Sequence, residues 1–201
     1  MDLYTLGTPN GQKISIALEE LGLTYKVHKI DISKGEQHTP EFLKINPNGK
    51  IPALVDGEMV LFESVAILIY LAEKTGKLLP KDPKRRYQTL AWSVFQAAGV
   101  GPIFGQFGHF QVYAKEKIPY AIERYANESA RLQGVMDKQL SLSSYLACDE
   151  YTIADIATWP WVHGFMTFYK QNIDATKFPN LMRWYNEIAQ RPAVQRGLKV
   201  P

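Results

Sequence analysis

The stretch Asn46-Pro47-Asn48-Gly49-Lys50-Ile51-Pro52-Ala53-Leu54 is the sharpest local structural signal in this chain. Its second proline stands immediately before an apolar segment with strand character, after a turn that contains glycine. A proline in that setting is a candidate for a cis peptide bond. An ordinary trans-proline at the start of a strand is the alternative, and it is the commoner case unless other parts of the sequence agree.

Short strands and helices alternate on both sides of this stretch. An apolar helical face ends at Gly22, and Asp56-Gly57 is a hairpin turn signal between two strands. The predicted order is β-α-β-α-β-β-α, with a helical crossover between the first two strands. The strands are predicted at 3–6, 25–30, 51–55 and 59–62, and the later helices at 40–45 and from Glu63 to about Thr75.

The remainder of the chain has the periodicity of helices alone. Residues 84–99 and 118–140 are long amphipathic stretches, and glycines and a proline between 99 and 105 must bend or break the first of them. The sequence therefore predicts an α/β domain at 1–77, a linker at 78–83 and an all-helical domain at 84–201.

Bulk composition narrows the class of protein. The chain has 201 residues, of which 46% are hydrophobic, so it can bury a sizeable core. Its net charge of +3 is spread among mixed signs, which gives no basic stripe for nucleic acid. The longest apolar run, at 65–72, is too short to span a bilayer, and the N-terminus has no signal-peptide pattern. The single cysteine, Cys148, favours a reducing compartment, and the cytoplasm is the expected location.

Several common kinds of reactive site find no support in the sequence. The four histidines (His28, His38, His109 and His163) lack metal-binding spacing, so no metal site is predicted. Neither a glycine-rich phosphate loop nor a nucleophile-elbow pattern occurs. Cys148 stands alone, and a bystander thiol is favoured over a nucleophile.

Two further motifs are suited to small-molecule binding. Thr8-Pro9-Asn10-Gly11 places a hydroxyl and an amide at a helix N-terminus, where an anion is favoured, although plain capping explains the same residues. Phe62-Glu63-Ser64 offers an acceptor for an ammonium group and donors for a carboxylate, which together suit an amino-acid headgroup; capping is again the alternative.

Four motifs in order across both halves carry a family resemblance. The fourth, Tyr151-Thr152-Ile153-Ala154-Asp155, is a capping box with Thr152 as N-cap. With these motifs the chain resembles the cytosolic glutathione transferases over essentially its full length. The resemblance implies an α+β thioredoxin-like N-terminal domain (βαβαββα) followed by an all-α C-terminal domain. In a thioredoxin-like fold, a cis-proline leaves the backbone of the preceding residue free to pair with an extended peptide.

Within the family, the chain is most similar to the nu class. The turn Thr-Pro-Asn-Gly-x-Lys at 8–13, Gly105-Gln106 and Ile-Pro-Tyr-Ala-Ile-Glu-Arg-Tyr at 118–125 carry this similarity. That bacterial branch is known for handling glutathione disulfide. Where better-known classes place a catalytic Tyr, Ser or Cys, this chain has Thr8 and Asn10, and Tyr4 is not assigned the catalytic role. A glutaredoxin-like cysteine is missing, which excludes a mixed disulfide with the protein at that position.

The resemblance implies a role for each site residue. Thr8 and Asn10 are the catalytic pair and donate hydrogen bonds to the sulfur of glutathione. The glutathione-binding residues are Gln37 and Lys50 at the glycyl carboxylate, Ile51 and Pro52 at the cysteinyl unit, Glu63 and Ser64 at the γ-glutamyl end, and Arg124 across a dimer interface. Candidates for a second-substrate pocket are Gln106, Phe107, His109, Phe110, Trp161 and Phe165, although aromatic residues at helical spacing more often form core.

These roles predict an enzyme with glutathione as co-substrate. Its thiol would be activated for conjugation to a small electrophile, for glutathione-dependent disulfide reduction, or for both. The expected assembly is a homodimer, with no metal, nucleic acid or membrane as partner. A non-catalytic glutathione- or ligand-binding regulatory protein of the same fold is the alternative, because Thr8 identifies activity less strongly than Tyr, Ser or Cys does.

Overall fold

The computed structural model of the chain describes all residues, Met1–Pro201. The chain folds as two compact units. The first unit contains Met1–Leu79 together with Gln190–Pro201, and the second contains Pro80–Ala189. The first unit holds the sheet, and the second is helical.

A four-stranded mixed sheet forms the centre of the first unit. Its strands are β1 (Asp2–Thr5), β2 (Lys26–Lys29), β3 (Ala53–Asp56) and β4 (Met59–Phe62). Their order across the sheet is β2-β1-β3-β4, with β1 and β2 parallel and the other two pairs antiparallel. Leu3, Ala53 and Leu54 on the central strands are buried, because both faces of these strands are covered.

The helices of the first unit confirm the predicted order of elements. Gly22 ends the first helix, α1 (Pro9–Leu21), with a φ of +66°, a left-handed conformation that glycine adopts without steric cost. Two short 3-10 turns, Ile32–Lys34 and Glu36–His38, follow β2. The α-helices of this unit are α1 (Pro9–Leu21), α2 (Pro40–Ile45), α3 (Ser64–Thr75) and, at the far end of the chain, α9 (Pro192–Gly197).

The last helix packs against the first. A Cβ added at Gly197 would lie 2.7 Å from Ile16, so only glycine permits this close approach of α9 to α1. Ser15 Oγ donates to the Gly197 carbonyl at 2.8 Å. Arg191 forms a bidentate ion pair with the Glu20 carboxylate, with N–O distances of 2.6 and 2.9 Å. Residues 190–201 therefore join the first unit by packing. The predicted domain bounds, 1–77 and 84–201 with a linker at 78–83, follow chain order and stay a prediction.

Five α-helices and two π-helical turns build most of the second unit. The predicted interruption near Gly99 takes the form of a π-helical turn at Gln96–Val100, after which the backbone stays helical. A second π-helical turn, His109–Tyr113, lies outside the predicted range. A Cβ on Gly101 or Gly105 would lie 3.3 Å from the Trp161 ring, so these glycines leave room for the indole. The helices are α4 (Pro83–Phe95), α5 (Gly101–Gly108), α6 (Pro119–Leu140), α7 (Ile153–Thr167) and α8 (Pro179–Ala189).

The predicted capping box is present at the start of α7. Thr152 is the N-cap, and its backbone amide donates to Asp155 Oδ2 at 2.9 Å. None of the helices combines the length and apolar composition needed to cross a bilayer. No three His, Cys, Asp or Glu side chains come together in a way that suits a metal ion.

Candidate active site

A cavity of about 130 Å³ lies in the first unit, where the segments that begin α1, precede β3 and begin α3 meet. These are the three stretches from which the sequence predicts ligand contacts. Six of the predicted site residues line the cavity together with two asparagines. The lining consists of Asn10, Asn46, Asn48, Lys50, Ile51, Pro52, Glu63 and Ser64.

The start of α1 is fixed by a cap and by a glycine contact. Thr8 is the N-cap, and its Oγ1 accepts from the Gly11 amide at 3.4 Å. Thr8 itself does not line the cavity, whereas Asn10 does. A Cβ at Gly11 would lie 2.1 Å from the Leu6 carbonyl oxygen, so a side chain there is sterically excluded. Because Oγ1 acts as the acceptor in the cap, the Thr8 hydroxyl hydrogen is still available to donate.

Asn46 organises the loop that leads to β3. This side chain is 1% exposed; its Nδ2 donates to the Lys50 carbonyl at 2.6 Å, and its Oδ1 accepts from the Asn48 amide at 2.9 Å. The Ile51-Pro52 peptide bond that follows is cis. Asn46 and Asn48 are absent from the predicted site, although Asn before a Gly-containing turn is a signal for such a loop-closing role.

Glu63 and Ser64 form the junction of β4 and α3. Glu63 has a φ of +67°, which is uncommon outside glycine and concentrates at ligand sites. No side chain caps α3, although the first amides of a helix lack intrahelical partners. The Ser64 side chain is buried where it meets the cavity. This junction can therefore donate hydrogen bonds to an anion while Glu63 accepts from a cation.

A buried lysine lies beneath this junction. Lys13, on the second turn of α1, is 2% exposed, and its Nζ donates to Ser64 Oγ at 3.1 Å. Burial lowers the pKa of Lys13 to about 7, and attraction to the Glu63 carboxylate acts in the opposite direction. Sequence reasoning missed this residue, because lysine on a helix is normally exposed and nothing in the local pattern marks this one as buried.

Two other predicted ligand residues lie outside this cavity. Gln37 is in the 3-10 turn Glu36–His38, and its Oε1 is buried without a hydrogen-bond partner. Arg124 lies on α6 in the second unit, where it lines a broad groove of about 850 Å³. Tyr120, Glu123 and Glu128 line the same groove. The role predicted for Arg124 stays a prediction.

The predicted second-substrate residues all belong to the second unit and differ in burial. Phe107 and Phe165 are buried and pack on each other with ring centroids 5.4 Å apart, as core residues do. Gln106 and His109 are exposed. Phe110 is stacked on the ring of Tyr125 at 5.7 Å. Trp161, which lies over Gly101 and Gly105, completes the predicted set.

Comparison with known protein families decides the identity of the fold. Residues 1–73 match the model "Glutathione S-transferase, N-terminal domain", and residues 99–192 match "Glutathione S-transferase, C-terminal domain". The chain belongs to the glutathione S-transferase family. The family resemblance predicted from the four sequence motifs is thus confirmed.

Relatives within the glutathione S-transferase family span nearly the whole chain. The "Disulfide-bond oxidoreductase YfcG" of Escherichia coli is 48% identical over 98% of this chain and 94% of its own. The "Disulfide-bond oxidoreductase YghU" of the same organism is 46% identical over 98% of this chain and 73% of its own. A solved glutathione transferase from Pseudomonas putida, with one glutathione disulfide bound per subunit, is 46% identical, with a TM-score of 0.96 over 100% of this chain and 91% of that one.

Proposed function

We propose that this chain is a glutathione-dependent enzyme that activates the thiol of glutathione for disulfide reduction and for conjugation to electrophiles. The observation that carries the proposal is the cavity that brings Asn10, Ile51, Glu63 and Ser64 together. Its residues match glutathione part by part: donors for a sulfur, backbone for a peptide, and groups of both signs for an amino-acid end.

The γ-glutamyl end of glutathione binds at the start of α3 in this proposal. Its ammonium group donates to the Glu63 carboxylate, and its carboxylate accepts from the Ser64 hydroxyl and the first amides of α3. The cysteinyl unit pairs with the backbone of Ile51, next to Pro52. The glycyl carboxylate is bound by Lys50 and by Gln37, whose side-chain amide nitrogen is a hydrogen-bond donor.

The sulfur of glutathione lies at the start of α1, where Thr8 Oγ1 and Asn10 Nδ2 donate to it. A free thiol has a pKa of about 8.5, and helix N-termini and hydrogen-bond donors lower it. Thr8 and Asn10 are therefore the residues that populate the thiolate at neutral pH. Neither forms a covalent bond to the substrate, so these residues act by stabilising charge.

Disulfide reduction proceeds in two exchange steps. A first glutathione thiolate attacks one sulfur of the substrate disulfide, forming a mixed disulfide with glutathione and releasing a thiolate of the substrate. A second glutathione thiolate attacks the glutathione sulfur of that mixed disulfide, which yields glutathione disulfide and the second substrate thiol. Support comes from the relatives named disulfide-bond oxidoreductases and from a solved relative in Burkholderia graminis, 46% identical, with two glutathione molecules bound per subunit.

The protein's own thiol takes no part in these steps. Cys148 lies in the second unit, outside the cavity, and its Sγ is 3.7 Å from the Glu150 carbonyl oxygen. Burial and the nearby carboxylates of Glu150 and Asp155 raise the pKa of Cys148, which suppresses its thiolate. The electrons therefore pass between glutathione and the substrate disulfide.

The proposed assembly is a homodimer in the cytoplasm, where reduced glutathione is available. The groove on α6 that contains Arg124 supports it, since the guanidinium is exposed there and can reach a ligand of a second copy. Light scattering at micromolar protein should give about twice the chain mass of 22.8 kDa. A mass near 22.8 kDa itself would contradict the dimer.

The second substrate binds, in this proposal, against the aromatic residues of the second unit. Gln106, His109 and Phe110 are its first candidates, because they are more exposed than Phe107 and Phe165. A small apolar electrophile or disulfide suits such a surface.

Two steady-state assays run side by side test the function. One follows conjugation of glutathione to a model aryl halide, and the other follows glutathione disulfide produced from a small dialkyl disulfide. We expect turnover in the disulfide assay well above the uncatalysed rate. Tight glutathione binding with no turnover in either assay would favour the non-catalytic alternative, and absence of binding would overturn the proposal.

A further inference from the structure

Lys13 is a fully buried lysine, a cation below its lowered pKa of about 7, and it lies next to a cavity that it does not line. Its side chain is 2% exposed, and its Nζ lies 3.1 Å from Ser64 Oγ, which belongs to the cavity wall. A buried ammonium group costs folding free energy that an apolar residue of similar size would avoid. The position of this cation behind a wall of the cavity therefore calls for a role in binding.

The direction of the Lys13–Ser64 hydrogen bond has a consequence for the cavity. In its protonated form, which predominates below a pKa of about 7, Lys13 can only donate, so Ser64 Oγ is then the acceptor. The hydroxyl hydrogen of Ser64 then points away from Lys13 and is available to the cavity. Hydrogen bonds in such a chain polarise one another, so Lys13 also makes Ser64 a stronger donor.

The charges around the cavity favour the same role. Glu63, adjacent to Ser64, would repel an anionic group bound at the start of α3. The protonated Lys13, whose Nζ lies 3.1 Å from Ser64 Oγ, is a compensating positive charge behind this junction, and the Glu63 carboxylate attracts it. The electrostatic potential at Ser64 is therefore more suited to a carboxylate than the lining residues alone would make it.

We propose that Lys13 is a positioning residue for the α-carboxylate of the γ-glutamyl unit, acting through Ser64, whose hydroxyl it orients and polarises. This inference rests on the proposed function, because it assumes that glutathione is the peptide in the cavity. Lys13 contacts Ser64 and leaves the substrate to the residues that line the cavity.

The test compares Lys13→Met with the unsubstituted protein by calorimetric titration of two ligands at about pH 6, where Lys13 is largely protonated. The first is glutathione. The second is 4-aminobutyryl-cysteinyl-glycine, which has the same backbone and ammonium group but lacks the α-carboxylate. We expect Lys13→Met to weaken glutathione binding by about ten-fold, as the loss of a charge-assisted contact does, and to leave the affinity for the analogue within about two-fold. Equal weakening for both ligands would mean that Lys13 only supports the fold, and would overturn the inference.

A double-mutant cycle tests whether Lys13 acts through Ser64. In a Ser64→Ala background, Lys13→Met should cost much less glutathione affinity than it does alone, because the intermediary hydroxyl is already gone. Additive losses would overturn the proposed route. Lys13→Gln, which keeps a donor, should recover part of the affinity and serves as the variant for titration if Lys13→Met does not fold.

Failure of the proposed function is distinguishable from failure of this inference. If the unsubstituted protein binds no glutathione, the proposed function fails first. If it binds glutathione and discriminates against the analogue, but Lys13→Met discriminates equally well, only the role of Lys13 is overturned.

Discussion

Each of the two units buries a charged side chain, and the two environments differ. Asp155 in the second unit accepts from the Leu146 amide at 3.0 Å, from the Thr152 amide at 2.9 Å and from Trp184 Nε1 at 2.9 Å, within a network of protein groups. Lys13 in the first unit donates to Ser64, which borders a cavity. Asp155 joins three segments of one unit, whereas Lys13 connects the fold to a ligand site. Loss of Asp155 should therefore appear in stability, and loss of Lys13 in binding.

Removal of Asp155 should have the largest effect. Asp155→Ala leaves the Leu146 amide and the Trp184 indole buried without an acceptor, so we expect the free energy of unfolding to fall by roughly 3–5 kcal/mol. Chemical denaturation followed by circular dichroism measures it. Asp155→Asn, which keeps one carbonyl acceptor, is the matched control and should lose less. A fall in the free energy of unfolding of less than about 1 kcal/mol in Asp155→Ala would contradict the structural role of Asp155.

Glu63→Ala should produce the next largest change, and it acts on binding. Loss of the charge-assisted hydrogen bond to the glutathione ammonium should cost roughly 1.5–3 kcal/mol, about ten-fold or more in affinity. Glu63→Gln tests the charge without shortening the side chain at this positive φ, and Glu58→Ala, an exposed glutamate in the β3–β4 turn, is the control. Calorimetry decides the outcome, and unchanged affinity would exclude Glu63 from the site.

The pH dependence of stability should reveal the buried charge of Lys13. Burial lowers the pKa of Lys13 to about 7 from 10.5, so the unfolded chain holds this proton more tightly than the folded protein between those pH values. Folding stability contributed at this site must therefore rise with pH across that window. Among the charged groups on the elements packed against α1, Glu63 at the start of α3 attracts Lys13. Arg191 and Arg196, at the start of α9 and within it, pair with Glu20 and Glu19. Glu73 and Lys74 lie in the last turn of α3, where Lys74 pairs with Asp56.

Denaturation of the unsubstituted protein and of Lys13→Met at about pH 7 and about pH 9 measures this effect. Relative to Lys13→Met, the unsubstituted protein should gain about 2 kcal/mol between the two pH values. If the difference in unfolding free energy between the two proteins did not change with pH, the pKa of Lys13 would not be lowered by folding, and the prediction would be wrong.

A smaller effect is expected at the sulfur. Asn10→Ala removes one of the two donors to the glutathione thiolate, so turnover in the disulfide assay should fall about ten-fold, while the circular dichroism spectrum stays the same. Full activity in this variant would leave Thr8 as the sole catalytic donor.

Cys148→Ser should have the smallest effect of all. Because exchange uses only the sulfurs of glutathione and substrate, turnover should stay within about two-fold of the unsubstituted enzyme. Complete loss of disulfide turnover with intact glutathione binding would contradict the mechanism and would move the reactive sulfur to the second unit.

Local signals predicted the elements whose ends are set by local chemistry. Gly22, the Asp56-Gly57 turn and the Thr152–Asp155 capping box all lie where the sequence indicates, because each depends on residues within a few positions. The three motifs that line the cavity were each recognised from local sequence as well, although their meeting at one place depends on the fold.

Other features depend on distant packing, which the sequence does not display. The burial of Lys13 depends on Ser64, 51 residues away along the chain. The packing of α9 on α1 depends on Gly197 lying against Ile16, although the chain order places α9 after the helices of the second unit. Asn46 was missed because its role requires the closed loop back to Lys50, and a buried asparagine looks like any other in sequence.

The close contact between Gly11 and the Leu6 carbonyl determines how near α1 can lie to the end of β1, and so where the site residues on α1 are held. Helix α1 is one rigid rod that carries Asn10 on the cavity wall, Lys13 behind it and Ser15 against α9. With only 2.1 Å available where a methyl group would sit, Gly11→Ala must push this rod away from β1. All three contacts would then shift in concert. Residue 10 can therefore be substituted to alter the sulfur site, whereas a side chain at residue 11 would displace every part of the site that α1 carries.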